Sequence, residues 1–506
     1  MSDNKRIAKN TIFLYFRMIL IMGVSLYTSR VILDKLGVDD FGLYNVVGGV
    51  VGILSFINGT LSVGTSRFIT YELGRNEKNK LHLTFNTAFY THLTLALILA
   101  FFLETIGLWY VYNKMVVPVE RLDAAVIAYH LSIITSIVNI TQVPYTALIM
   151  AHERMRIYAY ISIFEAVAKL MVVYLLSVSN YDRLVVYAIL IAVVQVFVAM
   201  FYRIYCRKNF VESRLNKLFD KDVFKGMMGF SGWNIMANLS ETLNFQGIVI
   251  LINLFFAPYV VAAQALANQI SGTMSQFVNN FRTAINPQII KLYAAGNYDD
   301  SKKLTLETTV YCFDLVMMIG LPAIVVMHEL MDIWLVEVPP YAVLFTQWII
   351  VRQIISTFSA SFYIPMMAAN KMKVNSIASV FSGLGVFVLL YVLFKLGCGP
   401  MWIQYVALLS ALFFSLLLKP YVLCKDIDYS YSEILKCFWV CGKVAILSCV
   451  LLLPFVFMLG DGIIQSIIKA FVAFMAVVIS SYIMMEKRMK EKSISLIKSK
   501  IFRITN

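Results

Sequence analysis

The sequence predicts an all-α polytopic membrane protein, and its composition and apolar pattern are the observations that predict it. Hydrophobic residues make up 60% of the 506 residues, whereas charged residues make up only 14%. Soluble domains carry about 25% charged residues, so a water-exposed surface on this chain would lack polar groups. The apolar stretches are also too long and too continuous for a β-barrel, whose strands alternate over about 10 residues. Helices covered by lipid are the class that remains.

Apolar segments of helical length follow one another along almost the whole chain, and about 14 transmembrane helices are expected. The predicted spans are 10–33, 43–71, 84–112, 122–150, 157–179, 184–206, 224–256, 258–290, 304–329, 341–368, 374–396, 400–423, 434–458 and 463–485. About 20 apolar residues cross the hydrocarbon core, so the longer spans are expected to tilt or to extend beyond it. No small-residue cleavage site follows the first span, which is therefore expected to remain as a signal anchor.

Lysines and arginines are concentrated in alternate gaps between these spans. The opposite gaps hold only Lys35, Lys114, Arg121, Arg183 and Lys395. The positive-inside rule therefore predicts that both termini are cytoplasmic, which requires an even number of spans. Lys419, Lys425 and Lys436 are counted with the cytoplasmic cations. The net charge of +14 is assigned to this topology and to anionic lipids rather than to nucleic acid, because no RNA- or DNA-binding motif accompanies it.

The gaps between spans leave no room for a catalytic domain. The longest lies around 207–223, and the chain contains no GxxxxGK[ST] loop, GxSxG elbow or HExxH helix. The five histidines are scattered, and Cys437 and Cys441 share a helix face without a CxxC pair or a neighbouring histidine. Neither an enzyme, a metal site nor a cofactor is therefore predicted.

A weak internal repeat divides the chain. The sequence from Phe41 through the loop after Gly74 is echoed by the sequence from Tyr259 through the loop after Gly296. The offset is six spans, an even number, so both halves share one orientation, as in transporters built from two rocking bundles. The predicted organisation is an N-terminal six-helix lobe at 1–206, a cytoplasmic linker at 207–223, a C-terminal six-helix lobe at 224–425, helices 13 and 14 at 426–485 and a basic cytoplasmic tail at 486–506.

A short signature lies near the amino terminus. It consists of Arg30, Leu36-Gly37, Phe41-Gly42-Leu43-Tyr44, a glycine-rich second span and Ser66-Arg67-Phe68. These residues resemble the signature of the polysaccharide-transport family, the Wzx-type flippases of O-antigen and capsule units. That family belongs to the superfamily that also holds the MATE drug exporters and the lipid II flippase. The length and the layout of six, six and two spans extend the resemblance over the whole chain.

The resemblance implies a mode of transport. It implies a V-shaped pair of pseudo-symmetric six-helix lobes, with a central cavity lined mainly by spans 1, 2, 7 and 8. Alternating access would carry an undecaprenyl-pyrophosphate-linked oligosaccharide from the cytoplasmic to the periplasmic leaflet of a bacterial inner membrane, without a cofactor. The implied partners are this substrate, membrane lipids, and the glycan polymerase and chain-length regulator of the same pathway.

Two polar stripes indicate which helices line such a cavity. They are Asn234, Asn238 and Glu241 in span 7, and Ser275, Asn279, Arg282 and Asn286 in span 8. Within each stripe the residues recur three or four apart, so they share one face of the helix. Polar groups are costly in hydrocarbon, so these faces are expected to turn to the bundle interior or to a watery cavity. Hydroxyl and amide groups suit a sugar headgroup.

Five arginines in the apolar stretches are the candidate phosphate ligands: Arg282, Arg17, Arg352, Arg67 and Arg30. A guanidinium group binds phosphate oxygens bidentately and does not lose its proton. Arg282 is the first choice, because it lies near mid-membrane on a polar stripe. Arg17 and Arg30 lie about 220° apart around one helix, so they cannot share a stripe. For Arg30 and Arg67 the alternative is snorkelling to lipid headgroups or pairing with loop acids.

Acidic residues within the spans suggest an energy source. Glu165 and Lys169 are four residues apart and are interpreted as a structural ion pair. Glu241 and Asp314 have no sequence-local partner, so they are the candidates for coupling to protons or sodium.

Two other functions stay open from the sequence alone. A MATE-like ion-coupled exporter of small cations is one, although its cavity is expected to be acidic and aromatic. A glycan polymerase or membrane glycosyltransferase is the other, although such an enzyme usually needs a sizeable outside loop or a soluble domain.

Overall fold

The computed structural model describes residues 3–484 apart from 53–54, 75–76, 153, 177, 179–180, 229–241, 370 and 461. This described part is helical and contains no β-strand. Its helices are α1 (Asp3–Leu36), α2 (Val38–Gly52), α3 (Ser55–Gly74), α4 (Lys78–Asn113), α5 (Leu122–Ala151), α6 (Met155–Leu175), α7 (Arg183–Asn209), α8 (Ile248–Phe255), α9 (Pro258–Ala294), α10 (Tyr298–Val325), α11 (Met327–Trp334), α12 (Ala342–Ala368), α13 (Lys373–Lys395), α14 (Trp402–Asp426), α15 (Tyr431–Met458) and α16 (Ile463–Met484). Among the described residues, 10 helical segments are long and apolar enough to cross a membrane. The predicted all-α polytopic fold class is confirmed.

The helices overlap the predicted spans along the chain, and two regions differ in detail. The predicted span 43–71 corresponds to two helices. α2 ends at Gly52 and α3 begins at Ser55, with the undescribed residues 53–54 between them. Much of the predicted span 224–256 falls on residues 229–241, outside the described part of the chain. The described remainder of that span is helical at 221–228 and again over α8.

The chain forms two compact units, each built from segments that are distant in sequence. Unit 1 comprises Met1–Leu266, Trp334–Ala342 and Ala378–Ile403, and unit 2 comprises Ala267–Ile333, Val343–Ile377 and Gln404–Asn506. Boundaries between the units therefore fall inside helices, for example within α9 after Leu266. The division into six-helix lobes at 1–206 and 224–425 stays a prediction.

Unit 1 has a core of aromatic and aliphatic side chains from α3, α4, α5 and α7. Ile69, Phe85, Tyr145, Leu148 and Tyr202 are buried together. The rings of Phe85 and Tyr145 meet edge to face with their centroids 5.2 Å apart. Such ring pairs contribute about 0.5–1.5 kcal/mol beyond the area that they bury.

Unit 2 has a second aromatic core, which joins α10 and α12 to the C-terminal helices. The rings of Phe313 and Phe358 stack at 5.4 Å, and Phe438 of α15 meets Phe358 edge to face at 4.9 Å. Val477 of α16 is fully buried in the same cluster. The two helices that follow the predicted repeat are therefore packed into unit 2 through its core.

Gly42 allows the start of α2 to approach the start of α9 within unit 1. A Cβ atom at Gly42 would lie 2.2 Å from the carbonyl oxygen of Pro258 and 2.7 Å from its carbonyl carbon. Both of these are backbone atoms, which cannot rotate out of the way as the end of a side chain can. The glycine of the Phe41-Gly42-Leu43-Tyr44 signature thus allows close packing of α2 against Pro258, which a larger residue would prevent.

One arginine joins three segments of unit 1. The Nε of Arg121 donates to Asp40 at 2.9 Å, and its terminal nitrogens donate to both Asp40 and Asp182. Asp182 also caps α7 by accepting from the backbone N–H of Leu184 at 3.0 Å. Burial raises the pKa of Asp40, whereas for Asp182 the hydrogen bonds from Arg121 and the backbone outweigh burial and lower the pKa. Asp182 is therefore the firmer anionic partner of Arg121.

We expect Gly42→Ala to lower the apparent melting temperature of the purified protein, because the added methyl group overlaps a backbone carbonyl. Overpacking of this kind costs about 1–3 kcal/mol. Gly48→Ala is the matched control, since no atom lies within 4 Å of the Cβ position there. Equal melting temperatures for the two variants in a fluorescence-monitored thermal scan would contradict the close approach.

We expect Arg121→Ala to destabilise unit 1 by about 1–2 kcal/mol, because it leaves two neighbouring carboxylates without their shared cation. The control is Arg183→Ala, since Arg183 donates a single hydrogen bond to the Lys35 carbonyl at 3.0 Å. Limited proteolysis would report the loss as faster cleavage near residues 113–121. A larger effect from Arg183→Ala would count against the ion cluster as the principal link.

Candidate functional site

A cationic cavity of about 470 Å³ lies within unit 2 between α9, α12 and α14. Its lining residues are Asn279, Arg282, Asn286, Ser356, Ser359, Ala360, Tyr363, Ile364 and Lys419. Two of these side chains are cationic, five are neutral and polar, and none is acidic. The cavity is therefore a potential binding site for an anion with polar substituents.

Arg282 is held in the wall of this cavity by neutral acceptors. It is only 7% exposed. One terminal nitrogen donates to Oδ1 of Asn279 and the other donates to the carbonyl oxygen of Thr357, each at 3.2 Å. Its Nε has no hydrogen-bond partner among the described residues. The thiol of Cys312 on α10 lies close to the guanidinium group.

Lys419 supplies the second positive charge. It is 6% exposed, and its Nζ donates to the carbonyl oxygen of Ser359 at 2.7 Å. The same nitrogen lies 5.3 Å from the centre of the Tyr363 ring, within the range of a cation–π contact. Lys419 is near enough to Arg282 for the two charges to repel each other.

The two cations have no acidic partner among the residues that the structure describes. Within the described part of the chain, neither Arg282 nor Lys419 forms a salt bridge. Burying a charge without a partner carries an effective penalty of several kcal/mol, and neutral dipoles offset only part of it. A bound anion would offset both charges at once, so the cavity favours a ligand that carries more than one negative charge.

The structure brings together three residues of the polar stripe in predicted span 8. Asn279, Arg282 and Asn286 all line the cationic cavity from α9. Ser275 lies one turn before Asn279, is half-buried and does not line this cavity. Helical periodicity thus places three of the four stripe residues on the face of α9 that borders this cavity.

The other predicted arginines are distributed over both units. Arg352 is half-buried on α12, one turn before the lining residue Ser356, and does not itself line the cavity. Arg30 is half-buried near the end of α1 in unit 1. The side chains of Arg17 and Arg67 lie outside the described part of the structure.

The predicted polar residues of span 7 lie outside the described part of the structure. These residues are Asn234, Asn238 and Glu241. Asp314, the other ion-coupling candidate, is buried on α10 with 4% exposure and does not line the cationic cavity. The predicted ion pair is present, since Lys169 Nζ lies 2.6 Å from Glu165 Oε1.

Lys419 corrects one interpretation of the sequence. It is counted there with the cytoplasmic loop cations, but the structure buries it inside α14, in the wall of the cavity. The physical reason is that the Ser359 carbonyl and the Tyr363 ring on α12 hold its ammonium group within the bundle. Its position inside the predicted span 400–423 is the sequence signal that points to it.

Comparisons with known proteins identify the sequence family and the fold. A sequence model of the family described as polysaccharide biosynthesis protein matches residues 7–293. No curated protein sequence matches the chain. The structure resembles the lipid II flippase MurJ in its inward closed conformation, with a TM-score of 0.65, 13% identity and coverage of 94% of this chain and 98% of that one.

Two further similar structures are transporters. A multidrug resistance MATE family transporter of the MOP superfamily, in an inward-facing conformation, has a TM-score of 0.62 and 14% identity, covering 79% of this chain and 96% of that one. A MOP superfamily transporter from Pyrococcus furiosus, described as having a binding pocket of reverse polarity, has a TM-score of 0.58 and 12% identity, covering 86% and 96%. These likenesses establish the fold.

We expect inorganic diphosphate to raise the apparent melting temperature of the purified protein, because it neutralises both buried cations. At a hundredfold excess over its dissociation constant, the stabilisation would be about 2.7 kcal/mol. Arg282→Ala should weaken this binding about tenfold or more, since a hydrogen bond to a charged group contributes about 1.5–3 kcal/mol. Lys425→Ala, an exposed lysine on the same helix as Lys419, is the control. Equal stabilisation of Arg282→Ala and the wild type would exclude this cavity as the anion site.

Proposed function

Because the chain belongs to the polysaccharide biosynthesis protein family, we propose that it is a flippase for an undecaprenyl-pyrophosphate-linked oligosaccharide. The protein is a multi-pass membrane protein with the fold of MOP-superfamily transporters. In the proposed cycle, alternating access moves an O-antigen, capsule or exopolysaccharide unit from the cytoplasmic to the periplasmic leaflet. The observation that carries this proposal is the buried cationic cavity, whose described lining residues include no acidic side chain.

The diphosphate group that joins lipid to sugar matches the unused donors of the cavity. A guanidinium group has five N–H donors and an ammonium group has three. Two hydrogen bonds of Arg282 and one of Lys419 go to neutral acceptors within unit 2. The remaining N–H groups can donate to phosphate oxygens, and the planar Arg282 group can do so bidentately.

The neutral polar residues of the cavity suit the sugar part of such a substrate. Asn279, Asn286, Ser356 and Ser359 offer amide and hydroxyl groups that can both donate and accept hydrogen bonds. The Tyr363 ring gives an apolar surface on the same wall. Charge would therefore hold the diphosphate, while neutral groups hold the sugar.

The proposed route includes the arginines that lie away from this cavity. We assign Arg352, one turn before Ser356, and Arg17, Arg67 and Arg30 to further phosphate contacts during the movement. The proposed location is a bacterial inner membrane, and the positive-inside rule assigns both termini to its cytoplasmic side. The proposed partners are membrane lipids and the glycan polymerase and chain-length regulator that act on the same substrate.

A MATE-like exporter of small molecules is the second candidate, favoured by the shared fold with a multidrug transporter. The charge of the cavity restricts this alternative, because Arg282 and Lys419 would repel an organic cation. An exporter that used this cavity would have to carry anions. Resistance assays with cationic and anionic drugs in expressing cells would separate the two functions.

We expect Arg282→Ala and Lys419→Ala each to abolish surface glycan when they replace the wild-type protein in cells, while membrane insertion stays normal. Removing one partner of a buried charged contact costs about 2–5 kcal/mol, which corresponds to a loss of more than about tenfold. Surface glycan would be measured by immunoblotting, and lipid-linked intermediates by extraction.

The controls separate charge from bidentate geometry. Arg282→Lys keeps the charge and should retain part of the transport, whereas the exposed Lys425→Ala should leave it unchanged. Wild-type levels of surface glycan in both alanine variants would rule out the cavity as the substrate site. Accumulated lipid-linked intermediate in the alanine variants would show that the block lies at the flipping step.

A further inference from the structure

A second cavity of unit 2, of about 400 Å³, lies between α10, α15 and α16 and is separate from the cationic cavity. Charged residues line one part of it: Asp299, Lys302, Lys303, Glu307, Glu433 and Lys436. On α10, Asp299, Lys303, Glu307 and Asp314 recur at helical spacing on one face. Asp314 lies 11 residues beyond Lys303, or about 16 Å along the helix axis. The cavity thus leads from a charged mouth to Asp314.

Asp314 is an isolated acid at the inner part of this cavity. It is 4% exposed, and its Oδ1 has no hydrogen-bond partner among the described residues. The hydroxyl of Ser481 on α16 lies close to the carboxyl group of Asp314 and has no other hydrogen-bond partner among the described residues. No cation in the described part of the chain forms a salt bridge with Asp314.

The other groups around Asp314 are a thiol, two tyrosine side chains and apolar side chains. Cys441 of α15 interacts with the carboxyl group electrostatically. Tyr311 of α10 and Tyr482 of α16 line a neighbouring cavity that Asp314 also borders, and Phe281 is the contribution of α9. Lys469, the buried cation of α16, lies 12 residues before Ser481, about 18 Å along the helix.

Access to Asp314 differs between its two sides. The cavity that carries the charged mouth can hold water, because polar groups line it. The neighbouring cavity, of about 270 Å³, is lined mostly by apolar side chains such as Leu315, Met318 and Val478. Water and ions can therefore reach Asp314 from one side of the helix. An ion-coupled transporter needs such one-sided access to its ion site in each of its conformations.

We propose that Asp314 is a proton-binding site that exchanges protons with the cytoplasm through the cavity between α10, α15 and α16. A carboxylate oxygen accepts a proton from hydronium at the inner end of the cavity and later returns it to water, and no other bond changes. Coupling of this site to transport rests on the proposed flippase function. The charged mouth lies on the side that the positive-inside rule assigns to the cytoplasm.

A proton fits this site better than a metal cation does. An isolated carboxylate is costly inside a membrane protein, and protonation removes that cost without further ligands. Hard cations prefer several oxygen ligands, whereas the neighbours here are the hydroxyl of Ser481 and the thiols of Cys437 and Cys441. In the described part of the chain, no group of three or more His, Cys, Asp or Glu residues could hold a metal.

Helix α10 connects this site to the cationic cavity. Asp314 follows Cys312 by two residues, and the Cys312 thiol lies close to the guanidinium group of Arg282. Cys312 is fully buried, so a shift of α10 on protonation would be felt by Arg282 through direct packing. The helices α15 and α16 thereby gain a role apart from cargo binding.

The test is an infrared pH titration of the purified full-length protein in lipid nanodiscs, without any lipid-linked substrate. We expect the wild type to show the carbonyl band of a protonated carboxyl group, which disappears as the pH rises. Asp314→Asn should lose this band, and Asp314→Glu should keep a band with a shifted midpoint. Asp300→Asn, an exposed acid on the same helix, should match the wild type.

The outcomes separate this proposal from the proposed function. A band that survives in Asp314→Asn, or that sodium removes at constant pH, would overturn the proton site while leaving the flippase assignment untouched. A wild-type band in Arg282→Ala would show that the proton site stands when cargo binding fails. Thermal scans of Asp314→Asn and Asp314→Glu establish that each variant is folded, and Asp314→Glu keeps the test decisive if the asparagine variant unfolds.

Discussion

The cost of burying charge within a membrane helix bundle is the constraint on which this structure depends. Every cation in such a protein must reach the aqueous boundary, find an acid, or remain unbalanced until a ligand arrives. Arg121 and Lys169 satisfy the constraint with carboxylates in unit 1. Arg282 and Lys419 do so only in part, through neutral oxygens and an aromatic ring. The positive charges of Arg282 and Lys419 are therefore the ones that a bound anion would stabilise most.

Rigid packing around the cavity makes this imbalance useful. The Phe313, Phe358 and Phe438 rings fix α10, α12 and α15 relative to one another within unit 2. The carbonyl oxygens of Thr357 and Ser359, on the same helix, then hold the two cations in place. Since the cations are positioned before any ligand binds, less ordering is needed at the moment of binding. Preorganisation of this kind lowers the entropic cost of binding a ligand in the cavity.

Sequence patterns predicted the helices and one wall of the candidate site. Particular residues show why the rest of the site could not be predicted. Hydropathy located the spans because a continuous apolar segment that crosses lipid must satisfy its backbone hydrogen bonds internally, as an α-helix does. Period-3.6 spacing placed Asn279, Arg282 and Asn286 on one face of α9. Lys419 was misassigned, because a lysine near a span end ordinarily belongs to a loop. Its burial depends on Ser359 and Tyr363, about 60 residues away, and no local pattern records such contacts.

The depth of the two cations has a consequence for ionic strength. At 7% and 6% exposure, Arg282 and Lys419 lie where mobile salt ions cannot surround them. Screening acts over about 8 Å at physiological salt and is strong for exposed charges, but it weakens when the charges are enclosed. Exposed lysines of this chain are therefore expected to respond to salt, whereas the proposed anion site is expected to keep its attraction for a multiply charged anion. If the proposed site binds the diphosphate, its affinity should therefore depend only weakly on ionic strength.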